Sequence, residues 1–313
     1  MLRKLFTALA PLALGLAFAA PTAAQAADQV VRVGYQKYGA FTLLKGRGTL
    51  EKKLEAQGWK VSWTEFPGGP QLLEALNVGA VDFGLTGEAP PVFAQAAGAQ
   101  LVYIANEPPA PQGEAILVAK DSPIKSVKDL KGKKVALNKG SNVHYLLVKA
   151  LEEAGLKYSD IQPVYLPPAD ARAAFSKGAV DAWVIWDPYL AAAEAQLPVR
   201  TLRDGKGLVA NHQFILATRK FATAQPAVVK NVLSELQSAD QWANANPAEA
   251  AKTLASQIGL PVDVVAATLP RNTLGLTPIT PQVANQQQQI ADVFKGLGLI
   301  PVPVKISDAL LAQ

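Results

Sequence analysis

Gly140-Ser141-Asn142 runs directly into a helical pattern, Val143 to Ala154, that stops at Gly155. A hydroxyl and an amide therefore stand at a helix N-terminus, where unpaired backbone N–H groups and the helix dipole favour an anion. Capping by Ser141 or Asn142 is the other use of the same two side chains, and a cap and an anion site can share one helix end. His144 falls on the first turn of that helix. Thr86-Gly87 and Gln36 each follow an apolar, strand-like run and offer a hydroxyl, a backbone N–H and a side-chain amide. Trp186 ends another such run. Its ring could wall an apolar tail while its N–H donates once, or it could pack in the core beside Trp183. Several converging neutral donors suit the capture of an anion.

Covalent and metal chemistry find little support. With no cysteine in 313 residues there is no thiol nucleophile, thiolate metal site, disulfide or cysteine-linked lipid anchor. His144 and His212 are the only histidines, and without cysteine partners or a spaced acid they make a poor metal site. Glu88 and Asp187 resemble a carboxylate pair only until their positions are considered. They fall in different halves of the chain and read as helix caps beside Pro90 and Pro188. The expectation is a binding protein without catalytic residues, cofactor or metal.

The elements that position these residues come from a repeat. Residues 72–91, LLEALNVGAVDFGLTGEAPP, and 171–189, ARAAFSKGAVDAWVIWDPY, share one plan. In each, an amphipathic helix reaches Gly-Ala-Val-Asp, with the glycine where a helix end requires positive φ. An apolar run follows that reads as a buried parallel strand. Each strand stops at an acid with a proline close behind, and in open α/β sheets ligands sit at the carboxyl ends of strands. Two matching halves predict two facing strand ends.

Around the repeat, Val30 to Tyr35, Lys60 to Phe66, Leu101 to Ala105, Lys134 to Leu137 and Ile161 to Leu166 read as further strands. Helical stretches alternate with them, one from Phe41 to Ala56, which is the grammar of a parallel sheet covered on both faces. Glu114 to Ala119 and Asn211 to Thr218 read as the strands that cross between halves. After Thr218 the chain turns helical, and Gln286 to Gln289 reads as a solvated helix face. The expected fold is α/β, two lobes joined by two crossover strands, with 27–113 and 217–313 in the first lobe and 114–216 in the second.

Residues 1–26 read as a signal peptide: Arg3-Lys4, then the apolar stretch Leu5 to Phe18, then Ala24-Gln25-Ala26, with cleavage after Ala26. That stretch is too short for a membrane span. Removing Arg3 and Lys4 leaves 28 Lys plus Arg against 25 acids, too mild a balance for a nucleic-acid binder. Half the residues are hydrophobic, which excludes a disordered chain.

Val33 to Lys37, Phe66 to Gln71, Leu73 to Gly79, Pro90 to Ala99, Asp129 to Ala136, Pro168 to Phe175, Asp181 to Trp183 and Asp187 to Tyr189 closely resemble the aliphatic sulfonate-binding proteins of bacterial ABC importers. The resemblance covers nearly the whole chain after the signal. It is weakest after Ala222 and in the loop Asp204 to Gln213. The wider family includes binders of taurine, nitrate and thiamine precursors. The resemblance implies the type II periplasmic binding protein fold and a monomer that hands its ligand to a membrane permease with its ATPase. A sulfonate is a permanent monoanion with three acceptor oxygens. On that reading the ligand-binding candidates are Gln36, Thr86, Gly87, Gly140, Ser141, Asn142, His144 and Trp186.

Overall fold

The computed structural model describes residues 29–272 and 274–311; the expected signal segment, with its cut after Ala26, lies outside them. The chain opens with β1 (Gln29–Tyr35), α1 (Gly39–Arg47), α2 (Thr49–Glu55), β2 (Trp59–Glu65), α3 (Gly69–Asn77), β3 (Phe83–Gly87), α4 (Ala89–Ala96) and β4 (Leu101–Asn106). A second run follows: β5 (Glu114–Ala119), β6 (Lys134–Leu137), α5 (Asn142–Glu153), β7 (Gln162–Tyr165), α6 (Pro168–Ser176), β8 (Ala182–Trp186), α7 (Tyr189–Gln196) and β9 (Val199–Asp204). The chain closes with β10 (Gln213–Thr218), α8 (Arg219–Ala224), α9 (Pro226–Ala245), α10 (Pro247–Ile258), α11 (Val262–Ala266) and α12 (Pro281–Gly296).

Two five-stranded mixed sheets result, ordered β2-β1-β3-β10-β4 and β7-β6-β8-β5-β9. Each has three parallel strands followed by a crossing strand that runs antiparallel to both neighbours. The fold is the expected two-lobed α/β architecture. The crossing strand β10 pairs with β3 and β4 from Gln213 onward, so 213–216, expected in the second lobe, belong to the first sheet.

The repeat is visible atom by atom. Gly79 and Gly178 both take positive φ, 71° and 69°, ending α3 and α6. The next turn is closed in both by an alanine N–H, Ala80 to Ala75 O and Ala179 to Ala174 O. Asp82 and Asp181 then do the same job: each carboxylate accepts a backbone N–H of the neighbouring strand, from Arg32 within β1 at 2.9 Å and from Lys134 at the start of β6 at 2.8 Å. Asp82 adds a bidentate grip on the Arg32 guanidinium, which Asp181 lacks. Buried carboxylates need such partners, because an unpaired charge in the core is costly.

Two expectations need correction. The helix expected from Phe41 to Ala56 is broken at Gly48, which adopts φ 63° and separates α1 from α2. The glutamine run of α12, expected to be solvated, is exposed only at Gln289. Gln287 is buried and donates to Glu88 O and to the Tyr103 hydroxyl, Gln286 meets His212, and Gln288 holds Val304 O and the Ile306 N–H. This run ties α12 to the base of α4.

Phe294 of α12 is fully buried and packs edge-on against Phe93 of α4, with His144 and Tyr145 of α5 beside it. One continuous apolar cluster thus runs from the first lobe into the second. The lobes are in contact.

Candidate functional site

The ends of β3 and β8 and the starts of β5 and β10 meet between the lobes. Thr86 and Gly87 stand opposite Phe214 and Gln213, and Glu114 stands opposite Trp186. Thr86, Glu114 and Trp186 are all buried. The N-terminus of α5 closes onto this junction from the second lobe. A Cβ placed on Gly87 would lie 2.9 Å from Asn142 Cβ, so the glycine is what lets the two lobes touch here.

A polar chain crosses the junction. Gln36 Nε2 donates to Leu85 O at 2.9 Å and to the Tyr38 hydroxyl at 3.3 Å, and that hydroxyl donates to Gln213 Oε1 at 2.8 Å. Gln213 Nε2 donates to Asn211 Oδ1 at 3.2 Å. From the other lobe Asn142 Nδ2 donates to the same Asn211 oxygen at 3.1 Å and to Glu114 Oε2 at 2.5 Å. Asn211 has φ 52°, the one positive value outside glycine among the described residues, and Asn211 Nδ2 donates to Ala110 O at 2.8 Å. Asparagine tolerates that conformation better than most residues, and such positions cluster where function demands them.

Ser141 occupies the N-cap position of α5, but its hydroxyl donates backward to Asn138 O at 2.7 Å and does not cap the helix. The first turn keeps its N–H groups free of a side-chain cap, which leaves the dipole open to an anion. The Thr86 hydroxyl donates to Gly87 O at 3.0 Å. Trp186 meets Tyr189 edge-on with ring centroids 6.0 Å apart, while Trp183 is the tryptophan that fills the core.

Two of the expected residues sit aside. Gly140, with φ 74°, lies against the Phe93 ring, where a Cβ would come within 3.2 Å. The Gly140 N–H donates to His144 Nδ1 at 3.2 Å, which puts the proton on Nε2, 2.9 Å from the Tyr158 hydroxyl. Burial and the nearby Lys139 push the His144 pKa down to about 4. His144 is therefore a neutral packing residue between α4 and α12, with both ring nitrogens engaged.

Glu88 does not cap α4. Its Oε2 accepts the His212 N–H at 3.0 Å and its Oε1 has no partner. Burial pushes Glu88 up to about 7, against hydrogen bonds from His212 and Asn211. Glu114 is driven well above the carboxylate range by burial and then by the charge of Glu88. Burial thus disfavours the charged form of both acids and so reduces the like charge that a bound anion would meet. Asp187 does cap, accepting the Ala191 N–H at 3.1 Å.

Beside this junction lies a cavity of about 50 Å³, lined among others by Tyr38, Leu43, Glu107, Asp187, Gln213 and Leu254. Tyr38 and Gln213 belong to both cavity and polar chain. The sequence reading missed Tyr38, Glu114, Asn211 and Gln213. The available signal was a polar residue opening an otherwise apolar strand, as in Glu114 before AILVA and Asn211-His212-Gln213 before FILAT. Among the described residues no cluster of three or more His, Cys, Asp or Glu could hold a metal ion, and no helix is long and apolar enough to cross a membrane.

Comparison with known proteins places this geometry in context. The NMT1/THI5-like family matches residues 54–250. An aliphatic sulfonates-binding protein of Escherichia coli (strain K12) is 50% identical over 286 residues, 91% of this chain and 89% of that protein. The taurine-binding periplasmic protein of the same organism is 30% identical over 252 residues, 75% of this chain and 73% of that one. Among solved structures, the alkanesulfonate-binding protein of Xanthomonas axonopodis pv. citri bound to MOPS superposes with a TM-score of 0.86 at 44% identity, covering 90% of this chain and 98% of the other. On both sequence and fold, the chain belongs to the NMT1/THI5-like family, among its aliphatic sulfonate-binding members.

Proposed function

We propose that the chain is the extracytoplasmic solute-binding subunit of an ABC importer, a monomer that captures aliphatic sulfonates in the periplasm and hands them to a membrane permease with its ATPase. The observation that carries the reading is the junction between lobes, where Asn142, Asn211 and Gln213 join an uncapped helix N-terminus to the end of β3. Asn142 and Gln213 are neutral amides, one from each lobe, that meet at Asn211 Oδ1 beside the first turn of α5, whose N–H groups no side chain caps, and helix N-termini with amide side chains suit a monoanion with three acceptor oxygens. Gln36, Thr86, Gly87, Ser141, Asn142 and Trp186 are the residues of the earlier set that fit this role; Gly140 and His144 support the packing beside it.

A binding role, with no chemistry performed, is supported by the state of the two histidines. His212 bonds Glu107 O and Gln286 through its two ring nitrogens, and His144 is equally occupied, so neither is free to act as a base. Export with cleavage after Ala26 belongs to the same reading and rests on the sequence alone.

Calorimetric titration with ethane-, butane- and hexanesulfonate, set against hexanoate, tests the proposal. A carboxylate lacks the third acceptor and leaves a buried donor unpaired, at about 1–3 kcal/mol. Sulfonates should therefore bind roughly fivefold to a hundredfold tighter. Equal binding of hexanoate and hexanesulfonate defeats the three-oxygen site, and release of sulfite by the purified protein defeats the receptor reading.

A further inference from the structure

Lysine is concentrated at one end of the second lobe. In its sheet β6, β7 and β8 start side by side, with Lys134 opposite Gln162 and Val135 opposite Ala182, and β5 finishes there, with Val118 opposite Ala182. The junction lies at the other end, where β5 starts at Glu114 and β8 stops at Trp186. The segments that lead into the three parallel strands carry six lysines. Lys128, Lys131, Lys133 and Lys134 lead into β6, Lys157 comes before β7, and Lys177 follows α6 on the way to β8. Backbone hydrogen bonds hold these segments together: the Gly132 N–H donates to Asp160 O at 2.7 Å, and the Asp181 N–H to Lys134 O at 2.8 Å. All six are exposed except Lys133, which is half-buried. In the first lobe the segments that lead into β2 and β3, residues 56–58 and 78–82, hold no lysine.

Acids do not neutralise this end. Asp160 and Asp181 are the two among these segments, and their carboxylates accept the backbone N–H groups of Lys157 and Lys134, each at 2.8 Å. Glu152 and Glu153, at the end of α5, are paired with Lys149 and Arg203. Lys120 with Asp121 and Lys125 with Asp129 add equal numbers of both signs. Six lysines against two acids leave a positive face on the side of the lobe remote from the junction.

The composition of the face selects the partner. Specific protein interfaces are rich in Arg and aromatic residues and poor in Lys, and shaped anion sites use the Arg fork. This face has neither. Of the large apolar side chains that are exposed, only Tyr165 belongs to the second lobe, and it ends β7 on the junction side. Point charges with no apolar anchor suit a surface whose negative charge is spread out, as on a bilayer containing anionic lipid. Resting on the importer reading above, which puts the permease in a membrane, we propose that this lysine face docks the chain on an anionic lipid surface. The contact is electrostatic and reversible. It holds a chain without a cysteine-linked anchor beside the bilayer, with the junction at the far end of the lobe.

The test is cosedimentation of the purified protein with vesicles of phosphatidylcholine alone and of equal parts phosphatidylcholine and phosphatidylglycerol. The protein should sediment with the anionic vesicles only. It should be released when salt is raised from about 0.1 M to about 1 M, which shortens the screening length from ~10 Å to ~3 Å. Lys128→Gln, Lys131→Gln and Lys134→Gln combined should lower the partition about a hundredfold, at roughly fivefold per lysine. Lys52→Gln, Lys220→Gln and Lys230→Gln combined remove the same charge from exposed positions of the first lobe and should leave the partition near that of the parent. Both triple variants should keep the parent's affinity for hexanesulfonate. Absence of sedimentation, or equal loss in the two variants, overturns the assignment to this face. Retention on polyglutamate without sedimentation assigns the face to an acidic protein and overturns the lipid proposal. Sedimentation by a protein that binds no sulfonate overturns the importer reading and leaves the docking face standing.

Discussion

Gly87 at the end of β3 and Asn142 at the start of α5 meet across the lobes at van der Waals distance, with 2.9 Å left between a hypothetical Gly87 Cβ and Asn142 Cβ. Gly87→Val should hold the lobes apart at this contact, since overpacking costs about 1–3 kcal/mol. Sulfonate affinity should fall roughly tenfold to a hundredfold, and scattering should give a larger radius for the saturated variant than for the saturated parent. Equal radii would show that this contact does not limit closure.

Asn142→Ala removes the amide that joins Glu114 to Asn211. Asn211 retains Gln213 as a donor, while the Glu114 carboxyl is left buried without one. The unfolding free energy should drop by about 1–3 kcal/mol and sulfonate binding should weaken with it. Urea titration and calorimetry on one preparation measure both.

Five buried acids set an unusual pH dependence. Glu88, Asp187 and Asp240 are pushed up to about 7 by burial, and Glu107 and Glu114 are raised well above the carboxylate range. Between the ordinary carboxylate range and pH 7 the folded chain therefore holds more protons than the unfolded one. Its stability must fall as pH rises through that window. His144, lowered to about 4, has the opposite slope between pH 4 and 6.5, but it is one group against five. The urea midpoint should be higher at pH 5 than at pH 8. Glu88→Gln should remove up to about 3 kcal/mol of the difference, at ~1.4 kcal/mol per pH unit.

The paired turns predict unequal costs. Asp82 is buried and grips both the Arg32 N–H and its guanidinium, whereas Asp181 is exposed and holds the Lys134 N–H alone. Asp82→Ala should cost about 2–3 kcal/mol and Asp181→Ala about 1 kcal/mol, read from urea midpoints at constant slope. Equal losses would mean that the guanidinium grip adds nothing.

Local pattern carried most of the fold. The expected bounds of β5 and β6 coincide with the observed ones because each is a uniform run closed by turn residues. The matching Gly-Ala-Val-Asp turns likewise announced two facing strand ends. What stayed hidden depends on partners far along the chain. Gln36, Tyr38, Asn142, Asn211 and Gln213 form one chain of hydrogen bonds, yet no spacing rule links 38 to 213 or 142 to 211. The glutamines of α12 read as solvated for the same reason, since their partners lie at 88, 103, 212, 304 and 306.

The position of β10 also has a consequence for how the chain acquires its shape. In the second sheet every strand comes from 114–204, so that lobe can complete its pairing from a contiguous stretch. The first sheet has β10 between β3 and β4, although β3 ends at Gly87 and β10 begins only at Gln213. Until the whole second lobe has been traversed, β3 and β4 face each other across a missing central strand. Such distant pairings form slowly, because the long loop between them must be closed first, and the two open strand edges remain available to other chains meanwhile. The lobe that begins the chain is thus the one that finishes last, and insertion of β10 is the event that seals it.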